Sequence, residues 1–469
     1  MQSEIFYQDA TALAELIRTR EISPVEVVQA HLDRIEAVNP KVNAIVTVAD
    51  DALRAAKTAE TAVLQGHELG PLHGVPFTVK DSIDTAGVPT QRGSLIFKGR
   101  IPDTDATSVA RMKKAGGILL AKTNLPEFSY AFESDNLLSG RSNNPWDLQR
   151  TPGGSSGGES AAIAAGMSPL GLGTDLGNSV RGPAAQTGIV SLKATHGRVP
   201  MTGIWPRAPR RFWHVGPMAR SIRDLALAFS QLSGPDGLDA FATSTVQFDA
   251  GIGHSPHRPL RVGWMVEPGF GPVDPEVAAT VKAAAEALKN VGCFVDPVRI
   301  PALERDFAND VFNRLHVMEM KQEFAEATAG RSHDDLYNTV KTMLARPDVS
   351  MKDYLDAEQA VERIRDGYAE FFTKYDALMT HVLPIPAHKH GVGTFTINGQ
   401  TVGATWLRGA AVPLNVTGLP GVSMRFGTSK EGLPINVQIA GSWQAESTIL
   451  YLAALLESVS PVRHLHPDV

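Results

Sequence analysis

The sequence predicts an α/β fold in one large domain, on three observations. Residues 75–81, 107–115 and 118–121 read as strand, helix and strand, and residues 261–265, 276–290 and 294–298 repeat that order. Each such unit implies two parallel strands joined through a helix. The alternation then runs to the C-terminus with no linker, internal repeat or low-complexity stretch at which to cut, so the expected domain is 1–469. With 43% hydrophobic residues, the 469-residue chain can bury a sizeable core.

In chain order, residues 9–66 read as helices. Ser23, Pro24 and Glu26 form a start signal: a capping hydroxyl, proline at the first helical position and a carboxylate three residues on. That helix is expected to stop at Asn39-Pro40, and a second to run over about 49–64 and end at Gly66. The turn-rich residues 70–74 lead into strand 75–81, which carries Lys80 at its carboxyl end, where α/β folds gather their chemistry. Taken by itself, a lysine at a strand end is more often an ordinary surface residue. Gly116-Gly117 stops the helix over 107–115, and strand 118–121 follows. Residues 160–166 are small enough for a tightly packed helix, 167–174 read as an apolar strand and 188–193 as another. Aromatic and basic residues alternate over 203–213 without helical period, so this reads as a loop, followed by a helix over 221–232. Asp274-Pro275 caps helix 276–290. Residues 302–375 are mainly helical and more charged, with breaks at Gly330 and Pro347. Residues 377–383 read as a buried strand, and Asn398-Gly399 marks a hairpin. Strands over 421–426 and 434–439 and a helix over about 447–456 close the chain.

Composition excludes several classes. A net charge of −6 without a long basic run disfavours nucleic acid, whose phosphates need clustered Lys and Arg. The one cysteine, Cys293, allows no intrachain disulfide or Cys-cluster metal site, and its apolar neighbours mark a buried thiol. The first nine residues lack a basic and an apolar signal region, and no uncharged apolar run reaches 18 residues. The expectation is a cytoplasmic protein with no membrane partner.

Two glycine-rich turns carry serines. The first, 153–158, holds Ser155 and Ser156; the second, 175–181, holds Ser179. Glycine clusters mark left-handed backbone or close approach, and flanking apolar periodicity separates these turns from a flexible linker. Residues 153–157 match G-x-S-x-G, but a nucleophile elbow needs an apolar strand before it, and a polar loop stands there. A phosphate loop would end in G-K-[ST], and Glu159 at the helix start would repel phosphate. The 14 histidines include no H-E-x-x-H. A serine nucleophile activated by something other than histidine remains.

At this point the chain resembles the amidase signature family, serine hydrolases with a Ser–cis-Ser–Lys triad. The motifs are G-P-L-H-G-V-P-F-T-V-K-D, K-T-N-L-P-E-F, N-P-W-D, P-G-G-S-S-G-G, G-T-D-L-G-N-S-V-R-G-P-A and G-L-P-I-N-V-Q-I-A-G. They cover residues 70–234 densely and 414–457 more loosely, leaving 302–375 as the variable helical segment. The resemblance implies a mixed central sheet covered by helices on both faces, and a reaction that needs no cofactor or metal. It assigns Lys80 as base, Ser155 as bridge and Ser179 as nucleophile, with an unusual peptide conformation at Ser155. Serine is a poor nucleophile until a base takes its proton, and lysine is a base only when uncharged. Burial can supply the required fall in its pKa. By the same resemblance the N–H groups of Leu176, Gly177, Asn178 and Ser179 form the oxyanion hole, each donor typically worth ~2.7–4 kcal/mol. Asn178 stands where the family commonly has glycine, and asparagine is well tolerated if that position needs positive φ. Ser156, Asp175 and Arg181 are expected to support these groups from behind.

The expected partner is a small-molecule amide, anilide or carbamate; a homodimer is compatible with this reading. The alternatives are an A-type subunit of a tRNA-dependent amidotransferase that takes ammonia from glutamine, and a catalytically silent binding protein. Trp205, Arg207, Phe212 and Trp406 are expected to line the substrate pocket. Neutral aryl amides and aryl carbamates are therefore expected to be turned over, with free glutamine poor.

Overall fold

Short apolar and β-branched runs form the strands of the computed structural model, which describes residues 2–246, 248, 258–267 and 269–469. In chain order these are β1 (Ile45–Val48), β2 (Pro76–Lys80), β3 (Ile118–Thr123), β4 (Leu170–Asp175), β5 (Val190–Lys193), β6 (His214–Ala219), β7 (Arg261–Trp264), β8 (Phe294–Pro297), β9 (Ala377–His381), β10 (Thr394–Ile397), β11 (Gln400–Gly403), β12 (Gly421–Thr428) and β13 (Pro434–Gly441). Eleven of them form one sheet in the order β1-β3-β2-β4-β6-β5-β12-β13-β9-β7-β8, while β10 and β11 pair separately. The sheet is mixed. β2 is parallel to β3 and β4, and β7 is parallel to β8 and β9. β6, β12 and β13 pair antiparallel to their neighbours.

Both predicted strand–helix–strand units are present, through helices Thr107–Lys114 and Pro275–Asn290. Every residue of β2, β3, β4, β5, β6, β9 and β13 is buried, so helices cover both faces of the sheet's centre. The expected hairpin forms at Asn398-Gly399, with Ile397 opposite Gln400.

Three elements differ from the sequence reading. Helix Pro24–Val42 runs through Pro40 and ends at Asn43, whose φ of 50° is left-handed. Asn39 then turns the chain: its Oδ1 accepts from the N–H groups of Ala44 and Ile45, and its Nδ2 donates to the Ile45 carbonyl. This launches β1, a four-residue edge strand inside the span read as helical. β6 was hidden by Pro217, which ordinarily argues against a strand interior, yet it pairs with both β4 and β5.

The sheet centre explains the first glycine turn. Helix Gly157–Ala164 begins so close to its neighbours that its two leading glycines have no room for a side chain. A Cβ on Gly158 would stand 2.4 Å from the Asn124 carbonyl oxygen, and one on Gly171 in β4 would stand 1.8 Å from Glu159 Oε1. The two turns therefore meet where β2 and β4 end.

Candidate active site

Lys80 is the last residue of β2 and is fully buried. Its Nζ lies 2.6 Å from Ser155 Oγ and 2.9 Å from Thr174 Oγ1 on β4. The Gly154–Ser155 peptide is cis. Gly154 passes so near the chain that a Cβ there would stand 2.5 Å from the Ala131 carbonyl oxygen. Burial drives the Lys80 pKa well below the ordinary lysine value, and the carboxylates of Asp175 and Glu159 only partly oppose it. Burial likewise raises Glu159, to about 7, against hydrogen bonds from Thr78 and Thr123 and the nearby charges of Lys122 and Lys80. Ser156 joins the two turns: its N–H donates to the Ser179 carbonyl at 3.2 Å, and its Oγ accepts from the Thr174 N–H at 3.3 Å.

The second turn is held from behind by a buried ion pair. Asp175 accepts from Arg181 Nη2 and Nε, both at 3.1 Å, from the Val180 N–H at 3.1 Å and from Asn415 Nδ2 at 2.8 Å. Burial alone would raise its carboxyl, but the charge and hydrogen bonds of Arg181 and the Asn415 amide outweigh that and hold it below the usual range. Arg181 also donates to Ala411 O, Gln438 Oε1 and Asn415 Oδ1, tying the turn to the C-terminal part of the sheet. Removing one member of such a pair leaves a buried uncompensated charge. Arg181→Met is expected to destabilise the protein by ~3–5 kcal/mol, read as a lower urea midpoint; an unchanged midpoint would show that the pair does not brace the turn.

Among the described residues, the N–H groups of Gly177, Asn178 and Ser179 donate to no protein acceptor. Leu176, Gly177, Asn178 and Ser179 border a cavity of about 280 Å³. Asn178 does not have positive φ, so its place in the turn does not rest on left-handed backbone. Its side chain instead occupies the space above Gly182, where a Cβ would stand 2.2 Å from Asn178 Nδ2.

The rest of the cavity wall was not foreseen. It comprises Ser129, Tyr130, Ala131 and Phe132 from one loop, Phe312, Asn338, Thr339, Thr342, Met343 and Arg346 from the variable helical segment, and Thr405 and Arg408. Phe128 and Ser129 both adopt left-handed backbone, at φ 57° and 59°, a strained arrangement for non-glycine residues that surrounding packing must maintain. His316 is pushed towards its neutral form by burial. Its Nδ1–H then donates to the Phe312 carbonyl and its Nε2 accepts from Tyr130 Oη at 3.0 Å, which orients the Tyr130 ring.

The four residues expected in the pocket lie elsewhere. Trp205 packs edge-on against Phe97 and Phe128, stacks with Phe324 and carries Arg92 over its face. Phe212 is 1% exposed and lies in the core behind Phe312. Trp406 packs on Phe307 and against Gly271. The N–H of Arg207 is fixed by Glu323, while Arg210 pairs with Asp239 and Arg211 with Glu319 and Glu358. Large aromatic area was used to seat the helical segment on the sheet, and the arginines to tie down the loop. One signal was present in the sequence: K-T-N-L-P-E-F leads directly into the wall residues 129–132.

Cys293 is buried, as its neighbours predict. Among the described residues, no group of three or more potential metal ligands occurs, and no helix is long and apolar enough to cross a membrane.

The sheet thus sets a buried lysine against a cis-linked serine, and Ser156 ties that turn to the second one, which carries Ser179 and borders the cavity. The amidase family model matches residues 26–450. The A-type chain of the glutamyl-tRNA(Gln) amidotransferase from Moorella thermoacetica is 32% identical, over 99% of both chains. The structure of a 6-aminohexanoate cyclic dimer hydrolase in complex with substrate superposes with a TM-score of 0.89 at 31% identity, covering 99% of both chains. That of a bacterial aryl acylamidase superposes with the same TM-score at 28% identity, covering 97% of this chain and 96% of the other. The chain belongs to the amidase signature family of amide C–N hydrolases.

Proposed function

We propose that the protein hydrolyses amides, anilides and carbamates through an acyl-enzyme on Ser179. The observation that carries this reading is the 2.6 Å approach of a desolvated Lys80 amine to Ser155 Oγ, beside the turn that presents Ser179. Neutral Lys80 takes a proton from Ser155 as Ser155 takes one from Ser179, and the Ser179 oxygen attacks the carbonyl carbon. The oxyanion forms against the N–H groups of the 176–179 turn, which have no reorganisation to undergo. Ser155 returns the proton to the departing nitrogen as the C–N bond breaks. Water, deprotonated by the same relay, then adds to the acyl carbon and releases Ser179. A carbamate follows the same steps and leaves a carbonate ester to be hydrolysed. Tyr130, Phe132 and Phe312 on the cavity wall support an aryl group on the substrate, in place of the tryptophans expected from sequence.

The similarity to A-type amidotransferase chains supports a second reading, glutamine as substrate within a complex. The cavity argues against it. Its wall contains no Asp or Glu, so although Arg346 and Arg408 suit the α-carboxylate of glutamine, its α-ammonium would lie beside them without a counter-charge. The test is kcat/KM for an anilide, its matched aryl carbamate and free glutamine. Anilide and carbamate turnover with glutamine poor is expected; glutamine as the best of the three would favour the amidotransferase reading.

A further inference from the structure

Two arginines, Arg346 and Arg408, line the cavity that Ser179 shares, and among the described residues neither forms an ion pair with a carboxylate. Arg408 is nearly fully buried. Its Nε donates to Asn309 Oδ1 at 2.8 Å and its Nη2 to Asn313 Oδ1 at 2.6 Å, both neutral amides. Its charge lies over the faces of Phe312 and Phe132, 4.5 and 5.6 Å from the ring centroids. These contacts leave Nη1 with no protein acceptor among the described residues. Arg346 forms no side-chain hydrogen bond or ion pair with any described residue. Burial lowers Arg408 to about 10, and the like charge of Arg346 adds to the fall, so Arg408 remains cationic at neutral pH.

Three other buried or half-buried arginines have carboxylate partners, Arg181 in Asp175, Arg210 in Asp239 and Arg211 in Glu319, while buried Arg425 spends its guanidinium on the carbonyls of Gly427 and Leu465 and on Thr428. The buried charge of Arg408 without a counter-ion is costly, and the half-buried Arg346 beside it adds repulsion rather than relief. A planar guanidinium fork with a free edge matches a carboxylate in geometry as well as charge. We infer that the substrates of this site are amides that also carry a carboxylate, bound by Arg408 and Arg346 while Ser179 faces the carbonyl. This rests on the hydrolase reading above and replaces the sequence expectation of neutral substrates. The aromatic rings then hold the apolar part of an acid whose charged end meets the arginines.

The carboxylate can belong to the acyl part or to the amine part, and matched pairs separate the two. Glutaric acid mono-4-nitroanilide carries it on the acyl side and N-benzoyl-β-alanine on the amine side; the methyl ester of each is the uncharged control. Kinetics on the wild type and equilibrium titration of the Ser179→Ala protein are both read. At least one acid is expected to exceed its ester by roughly tenfold or more in kcat/KM and in affinity, the increment of one good charge-assisted contact. Arg408→Gln and, separately, Arg346→Gln are expected to bring the acid-to-ester ratio towards one, mainly through KM. Arg346 holds no other side chain, so its variant keeps the test open should Arg408→Gln fail to fold. Acids and esters equal in both assays, or a ratio unchanged in folded Arg346→Gln and Arg408→Gln, would overturn the inference. Tenfold tighter binding of an acid without turnover would leave the anion site standing and sink the hydrolase reading; turnover without preference would do the reverse.

Discussion

Ser179→Ala is expected to lose amide hydrolysis by about four to six orders of magnitude in kcat, the loss seen when a serine nucleophile is removed from a concerted triad. Ser179 borders the cavity and its side chain makes no hydrogen bond to another described residue, so its loss leaves the fold intact. A fluorophosphonate should label the wild type at Ser179, because only an activated hydroxyl reacts quickly with it. Peptide mapping locates the adduct. A label on Ser155 or Ser156, with Ser179→Ala still active, would overturn the assignment of the nucleophile.

Lys80→Met is the second large effect, a fall of about two to four orders of magnitude in kcat with the fold retained. The pH dependence follows from the direction of the lysine's shift. Burial places its pKa below the ordinary value, so the neutral base is present above that lowered value and lost beneath it. Wild-type activity should therefore rise with pH and reach an alkaline plateau. Stability follows the same group. A lysine whose folded pKa lies below its unfolded one costs stability in full below the folded value, and the cost vanishes above the unfolded value of about 10.4. Lys80→Met should consequently gain in urea midpoint relative to wild type at neutral pH, with the gain shrinking as pH rises towards that limit. Near-wild-type turnover in a folded Lys80→Met protein would sink the lysine-base mechanism.

Much of the frame was legible because its signals are local. Both strand–helix–strand units, the Asn398-Gly399 hairpin and the helix started by Ser23-Pro24 follow from capping, turn chemistry and apolar period, and all are present. The reading failed where a distant partner overrode the local pattern. β6 contains Pro217, yet β4 and β5 on either side hold it in the sheet. β1 is four residues long and exists through β3 and the bonds of Asn39.

The same division runs through the site. Residue identity and spacing along the chain determined the two glycine turns, the lysine at a strand end and the family, because a glycine demanded by close approach stays visible as a glycine. Whether Lys80 is dry, and which hydroxyl it meets, was decided by the packing of helix Gly157–Ala164 against β2 and β4. The cavity wall was decided later still, by helices more than a hundred residues away in sequence. Phe312, Arg346 and Arg408 come from different elements and carry no common motif, so nothing local marks them as neighbours. Trp205 and Phe212 had the opposite history: large aromatic residues near the motif core, drawn into packing because burying their area stabilises the seat of the helical segment. Chemistry that depends on backbone conformation leaves its trace in sequence, whereas recognition assembled from side chains of separate elements becomes defined only when the chain has folded.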